Sequence, residues 1–366
     1  MGFFTRDPIN FPKESVVARR WRIRRKLGEG GFGAVYKVVD VETRRPAAMK
    51  VEQNRKNGVL KLEALILRTL DNYPFVPKLL DSGKKSLYSY IVITLLGPSL
   101  NKILKVFGKV CSVSTQVRIG INTLYAIKQL HDVGFLHRDL KPANMAVGTV
   151  GTPEFRFIHI FDFGLARRFI VPCEEGEAPK MRRPRNSVHF RGTLRYCSIN
   201  CHERGELGRD DDLWCFLYMM VELRGPLPWA NIRRAICFAM KISDLECFQY
   251  SKRNISFEEL LKNCPVQFLG IAEHISTLNY YVRPNYALIY RLLKEVMDAG
   301  KIRYWDPYDW ERKDSLPEAF IDTTSTMSVH TDRSQGSSTP SSPCLTPALE
   351  FNPFPPEFFE SDPLGF

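Results

Sequence analysis

The stretch His137-Arg138-Asp139-Leu140-Lys141-Pro142-Ala143-Asn144 decides how the rest of the chain is read. It fits the pattern H-R-D-L-x-x-x-N at every defined position. A carboxylate such as Asp139 can accept or orient the proton of an incoming hydroxyl, and the amide oxygen of Asn144, five residues on, is a hard ligand suited to Mg²⁺. Downstream stands Asp162-Phe163-Gly164, whose Asp162 would bridge Mg²⁺ to the β- and γ-phosphates of a nucleotide. Phosphoryl transfer is mainly positioning and charge neutralisation, and these groups are the parts it needs.

Upstream, Gly28-Glu29-Gly30-Gly31-Phe32-Gly33-Ala34-Val35 fits G-x-G-x-x-G-x-V. Glycine lets the backbone approach phosphate oxygens where a Cβ would collide. By itself the motif is ambiguous: a dinucleotide-binding turn has similar spacing, with Glu52 near the place of its ribose-binding acid, and a plain tight turn is also open. Lys50 follows in Ala47-Ala48-Met49-Lys50, a match to the strand whose lysine holds the α- and β-phosphates. A lone lysine at a strand end is usually solvated. Here the leucine spacing from Leu60 to Leu70 predicts a helix carrying Glu63, which would fix the ammonium as an ion pair. Five motifs in this order and spacing define one chemistry where any one of them would not.

The fold class is α+β. A strand-rich part with Gly-rich punctuation runs to about residue 96, and predicted helices at Val117–His131, Asp212–Leu223 and Tyr286–Met297 follow the Gly97-Pro98 break. The expected division is a leader at 1–20, a domain at 21–313 with its small β-rich lobe at about 21–96 and its helical lobe at about 97–313, and a tail at 314–366. The tail is rich in Ser, Thr and Pro, with Thr339-Pro340, Ser342-Pro343 and Thr346-Pro347 as modification sites, and is expected to stay disordered. Its aromatic, acidic end, Phe354-Pro355-Pro356-Glu357-Phe358-Phe359-Glu360, could dock a partner, lie across the basic body as an autoinhibitor, or be part of an inert tether.

At these motifs the chain resembles the eukaryotic protein kinases from about Trp21 to Trp310. The usual A-P-E at the end of the activation segment, the stretch that follows Asp162-Phe163-Gly164, is replaced by Ser198-Ile199-Asn200 within Arg191–Asn200, which is similar to the casein kinase 1 superfamily, as is Leu95-Leu96-Gly97-Pro98-Ser99-Leu100. Val133–Asp139, Phe190–Thr193 and Gly208–Trp214 look closest to the tau-tubulin kinase branch. The resemblance implies a bilobal protein kinase fold with ATP and Mg²⁺ in the cleft. Gly28, Glu29, Gly30, Gly31, Gly33, Val35, Ala48, Lys50 and Glu63 would lie on the nucleotide side, with Ile93 as gatekeeper and Thr94, Leu95 and Leu96 as the adenine hinge. Asn144 and Asp162 would hold the metal. Lys141, typical of Ser/Thr kinases, would lie near the transferring phosphate, and Thr193 would contact Asp139 and Lys141 when a Ser/Thr substrate is bound. Asp212 would brace the catalytic loop, or cap a helix, or do both.

Net charge is +12, of which the tail from Asp314 carries −7, leaving +19 on the body. A basic body attracts polyanions. Arg182, Arg183, Arg185, Arg191 and Arg195 make either a solvated loop or an anion site favouring acidic or already phosphorylated substrates. The same basicity could give Arg138 a resting anion, so that activation needs no loop phosphorylation. Acidic cytoskeletal proteins such as tubulin are candidate substrates by analogy. Nucleic acid is disfavoured, because aromatic residues do not interleave with the basic ones. The longest apolar run, Leu213–Val221, is too short to span a bilayer, and Arg6 spoils a myristoylation motif at Gly2. The cysteines read as reduced thiols of a cytoplasmic or nuclear chain, and Cys197, Cys201 and His202 as loop residues rather than metal ligands. A monomer is expected. The rival from another class is a catalytically silent kinase-fold scaffold, which usually lacks one of Lys50, Asp139 or Asp162; a small-molecule kinase is disfavoured by Lys141 and Gly192-Thr193.

Overall fold

The structure, a computed structural model, describes residues 9–30, 33–54, 58–108, 110–149, 151–171, 178–230, 243–311 and 352–366. Strands β1 (Val16–Val17), β2 (Trp21–Gly30), β3 (Gly33–Asp40) and β4 (Pro46–Gln53) precede helix α1 (Leu60–Thr69), then come β5 (Leu79–Lys84) and β6 (Tyr88–Thr94). They form one antiparallel sheet in the order β1-β2-β3-β4-β6-β5. Burial alternates along β3, so Ala34, Tyr36 and Val38 pack with Met49, Val51 and Val92 on one face. The other face carries Val35 opposite Lys50 and Ala48 opposite Ile93.

This pairing removes the dinucleotide-binding alternative, which needs parallel strands around a crossover helix. Glu52, the acid that reading relied on, accepts the Val59 and Leu60 N–H groups at 3.1 Å each and so satisfies the start of α1.

The second lobe contains α2 (Leu100–Phe107), α3 (Val113–Asp132), β7 (Phe135–Leu136), β8 (Met145–Val147), β9 (Ile158–Ile160), β10 (Arg167–Arg168), β11 (Ile170–Val171), β12 (Lys180–Met181), α4 (Ile199–His202), α5 (Arg209–Glu222), α6 (Asp244–Asn254), α7 (Phe257–Leu261), α8 (Gln267–Ser276), α9 (Tyr286–Ala299) and α10 (Pro356–Glu360). Helix α3 starts at Ser112, whose hydroxyl accepts the Thr115 N–H at 3.2 Å. It is buried on every side from Thr115 to His131, as befits a central helix packed against α5 and α9. No helix among the described residues is long and apolar enough to cross a membrane.

Two expected boundaries shift. The leader is not separate from the sheet: Val16 and Val17 pair with Arg22 and Trp21, and the Phe11 ring lies 5.5 Å from that of Tyr36. The expectation of disorder to residue 366 fails for 352–366, where Phe354 and Phe359 are 1% and 0% exposed in the helical core. Burying each ring contributes about 1.5–3 kcal/mol, which offsets the ordering of a short segment. The rest of the tail, including its Ser/Thr-Pro sites, lies outside the described residues. Cys111, Cys197, Cys201, Cys215 and Cys264 are free thiols, whereas Cys247 is in a disulfide, contrary to the all-reduced expectation.

His159 on β9 is 2% exposed, and burial pushes its imidazole down to about 4. A neutral buried ring contributes stability that is complete above the ordinary value of about 6.5 and is lost as pH falls towards 4. At pH 5 this one residue is expected to have cost about 2 kcal/mol. Asp132, which burial raises to about 6, works in the opposite sense. Comparison with His159→Gln by urea unfolding at pH 7.5 and 5 isolates the histidine: the variant should lose distinctly less stability than the native chain, and parallel losses would remove the assignment.

Candidate active site

The catalytic stretch is held by a strained turn and a buried carboxylate. After β7 the chain passes through Arg138 with φ of 66°, a left-handed conformation that costs a non-glycine residue about 1 kcal/mol or more. Asp212 supports it, accepting the His137 N–H at 2.7 Å and the Arg138 N–H at 2.8 Å. His131 Nε2 lies 3.0 Å from the same carboxylate and its Nδ1 2.7 Å from the Tyr286 hydroxyl. Burial holds His131 below the ordinary imidazole value, so a neutral ring donates to Asp212 and accepts from Tyr286. The two readings of Asp212 separate here. The cap of α5 belongs to Asp211, which accepts the Gly208 N–H at 2.6 Å, and the brace belongs to Asp212.

Asp139, Lys141 and Thr193 close a triangle. Lys141 Nζ donates to Asp139 Oδ2 at 2.6 Å and to Thr193 Oγ1 at 3.1 Å, and the Thr193 hydroxyl donates to Asp139 Oδ1 at 2.7 Å. Asn144 Nδ2 donates to the Asp139 carbonyl at 2.9 Å, which leaves the Asn144 oxygen as the hard donor. Pairing of β8 with β9 then brings Asp162 alongside: the Phe161 N–H donates to the Asn144 carbonyl at 3.0 Å.

From the sheet, Lys50 Nζ reaches Glu63 at 2.7 Å and Asp162 at 2.6 Å. Burial alone would lower the Lys50 ammonium, but the two carboxylates outweigh it and hold it above its ordinary value. Phe163 is 1% exposed, with its ring 5.5 Å from that of His137. The Lys50–Glu63 pair and Asp162 are therefore assembled together, which is the arrangement phosphoryl transfer requires.

The glycine loop divides by role. A Cβ on Gly33 (φ +140°) would lie 1.9 Å from the Val51 carbonyl oxygen, so the sheet itself demands that glycine. A Cβ on Gly28 or Gly30 would meet nothing within 4 Å, so protein packing does not require them. Gly31 lies outside the described residues. Glu29 bonds Lys26 at 2.5 Å, and the Leu95 carbonyl takes the Thr149 hydroxyl at 2.9 Å. Val35, Ala48 and Ile93 line the face shared with Lys50, and Leu95 and Leu96, half-buried, follow β6.

The described residues contain no group of three or more His, Cys, Asp and Glu able to hold a metal ion. Cys201 and His202 lie in the short helix α4 rather than in a loop; Cys197 Sγ is 3.4 Å from His202 Nε2, and Cys201 Sγ donates to the Arg191 carbonyl at 3.2 Å. The oxygens of Asn144 and Asp162 suit instead a cation that completes its shell with phosphate and water, as Mg²⁺ does.

Sequence reasoning missed three supporting residues. Asp211 accepts from Ser198 and from Asn200 Nδ2 at 3.0 Å, which explains Ser-Ile-Asn as an anchor of the activation segment on α5. Buried Lys252 donates to the Leu194 and Cys197 carbonyls at 2.8 and 2.6 Å. Glu206 pairs with Arg185 at 2.5 Å and Arg167 at 3.0 Å. The acidic run Asp210–Asp212 was a visible signal for the first; a lysine and a glutamate in polar stretches gave none.

This fold and this site define a protein kinase, and the family model described as "Protein kinase domain" matches residues 21–294, so the chain belongs to that family. A Caenorhabditis elegans protein named as a serine/threonine-protein kinase, K06H7.1, is 44% identical over 300 residues, covering 81% of this chain and 83% of the relative. Casein kinase I homolog RAG8 of Kluyveromyces lactis is 31% identical, covering 81% of this chain and 54% of the relative. The C. elegans "Inactive tau-tubulin kinase ttbk-6" is 35% identical, covering 67% and 84%. Within the family the chain is therefore a serine/threonine protein kinase of the casein kinase 1 superfamily, near the tau-tubulin kinase branch.

Proposed function

We propose that this kinase transfers the γ-phosphate of Mg²⁺-ATP to Ser or Thr hydroxyls in acidic or already phosphorylated segments of cytoplasmic proteins, acidic cytoskeletal proteins among them. The observation that carries the reading is the Lys141–Asp139–Thr193 triangle beside an assembled Lys50–Glu63–Asp162 set. Asp139 accepts or orients the hydroxyl proton, and Lys141 offsets charge on the transferring group. Asn144 and Asp162 would hold Mg²⁺, which when bound neutralises the phosphates and sets them in line. Lys50 would hold the α- and β-phosphates, Gly28, Glu29, Gly30, Gly31 and Gly33 would cover them, and Val35, Ala48, Ile93, Leu95 and Leu96 would enclose the base. All the groups whose loss marks a silent scaffold are present, which favours catalysis over that second reading.

For substrate choice, Arg185 and Arg195 are committed to Glu206 and Glu222. Arg183 and Arg191 are exposed and have no acidic partner among the described residues, which supports an anion site beside Thr193. Arg138 rests on the Leu165 and Ala166 carbonyls at 2.7 and 3.4 Å, which supports a segment ordered without phosphorylation. Peptides differing only in an upstream Ser, Asp or phosphoserine test the preference. The phosphorylated peptide should show kcat/KM at least about tenfold above the serine peptide, and Arg191→Ala should erase most of that gap. Equal kcat/KM across the series would sink the preference and leave the kinase activity standing.

A further inference from the structure

The 352–366 segment seats on α3 and α9 of the second lobe, and its contacts run in order towards the catalytic stretch. Phe354 lies 5.2 Å from the Tyr125 ring, and Phe359 stacks on Tyr290 at 4.3 Å and 12°. Ser361 Oγ accepts from Lys128 Nζ at 3.0 Å, at the end of α3 that carries His131. Asp362 is 3.3 Å from Arg283. Leu364 and Phe366 then pack against Leu136, Phe169 and Ile170, and the Phe366 carbonyl accepts from Arg209 Nη1 at 2.7 Å.

The last landing points belong to the frame of the catalytic stretch. Leu136 is the residue before His137, and it pairs with Arg167 of the activation segment. Arg209 opens α5, three residues before Asp212. Phe169 donates its N–H to the Gly134 carbonyl at 3.0 Å. Nothing in 352–366 bonds Asp139, Lys50 or Thr193 among the described residues. We infer that residues 352–366 are a positioning clamp in cis: they brace the junction of β7, the activation segment and α5, and so raise kcat rather than block the cleft or serve as an inert tether. The Arg138 turn is the strained element the clamp would steady, because the strands and helix that hold it are the ones the segment covers.

The test uses the full chain with only tail side chains changed. In Phe354→Ala/Phe359→Ala, kcat on a Ser peptide should fall about three- to tenfold with the KM for ATP unchanged. A synthetic peptide of residues 352–366, added at about 1 mM to replace the lost intramolecular concentration, should restore it, and the same peptide carrying both alanines should not. Leu364→Ser is the milder variant. It leaves Phe354 and Phe359 in place and should lower kcat without moving the thermal midpoint, which a purely structural role would not do. Raised kcat in these variants would overturn the inference in favour of autoinhibition. Unchanged kcat, or a loss in Leu364→Ser that only follows lost folding, would return the segment to a passive packing element.

Discussion

Asp139→Asn is expected to lower kcat by about a thousandfold while changing the KM for ATP little, because only proton acceptance and orientation are lost. The substitution conserves size, and Asn can keep one oxygen for Lys141 or Thr193, which hold the two Asp139 oxygens at 2.6 and 2.7 Å. The fold should therefore survive, and the thermal midpoint measured beside steady-state kinetics shows whether it does. Asp139 is distant from Lys50 and its carboxylates in the bonding network, so ATP binding gives an internal control. A variant retaining a tenth of native kcat would remove Asp139 from its proposed role and turn attention to the scaffold reading.

Asp212→Ala should be the costliest change away from the reacting groups. It leaves the His137 and Arg138 N–H groups and the His131 ring facing an apolar gap, in a place where Asp212 is 1% exposed. Removing one partner from such a buried charged network costs roughly 3–5 kcal/mol. The left-handed turn at Arg138 also loses the acceptor that pins it, so activity should fall further than stability does. Urea unfolding gives the first quantity and kcat under folded conditions the second. Asp212→Asn keeps one acceptor and should fall between; if the alanine variant is as stable and active as the native chain, the brace has no energetic weight.

How much could be read from the chain follows from how local each signal is. Asp139 and Asn144 lie within one short stretch, and Asp162 and Lys50 stand in their own short motifs, so motif spacing proposed them, whereas Lys141 came only from the family resemblance. Helices α1, α3, α5 and α9 were legible because their apolar spacing reflects burial of a face, although the ends moved by a few residues. The split between Asp211 and Asp212 was not legible. Adjacent helical residues point about 100° apart, and only the packed α5 shows which carboxylate meets Gly208 and which meets the catalytic loop.

The tail shows the same limit. Its Ser/Thr/Pro composition points to disorder as a whole and masks Phe354 and Phe359, which find an aromatic face made by Tyr125 on α3 and Tyr290 on α9. Likewise nothing local marks Lys252, whose ammonium meets the Leu194 and Cys197 carbonyls only once α6 packs against that stretch. By itself the sequence determined the chemistry, because phosphoryl transfer requires particular groups at short spacings that few other functions share. Only the tertiary structure decided which charges are paired, which glycines the protein itself requires, and where the chain's last described segment comes to rest. Those outcomes depend on contacts between residues far apart in sequence, whose burial and desolvation are set by the assembled fold.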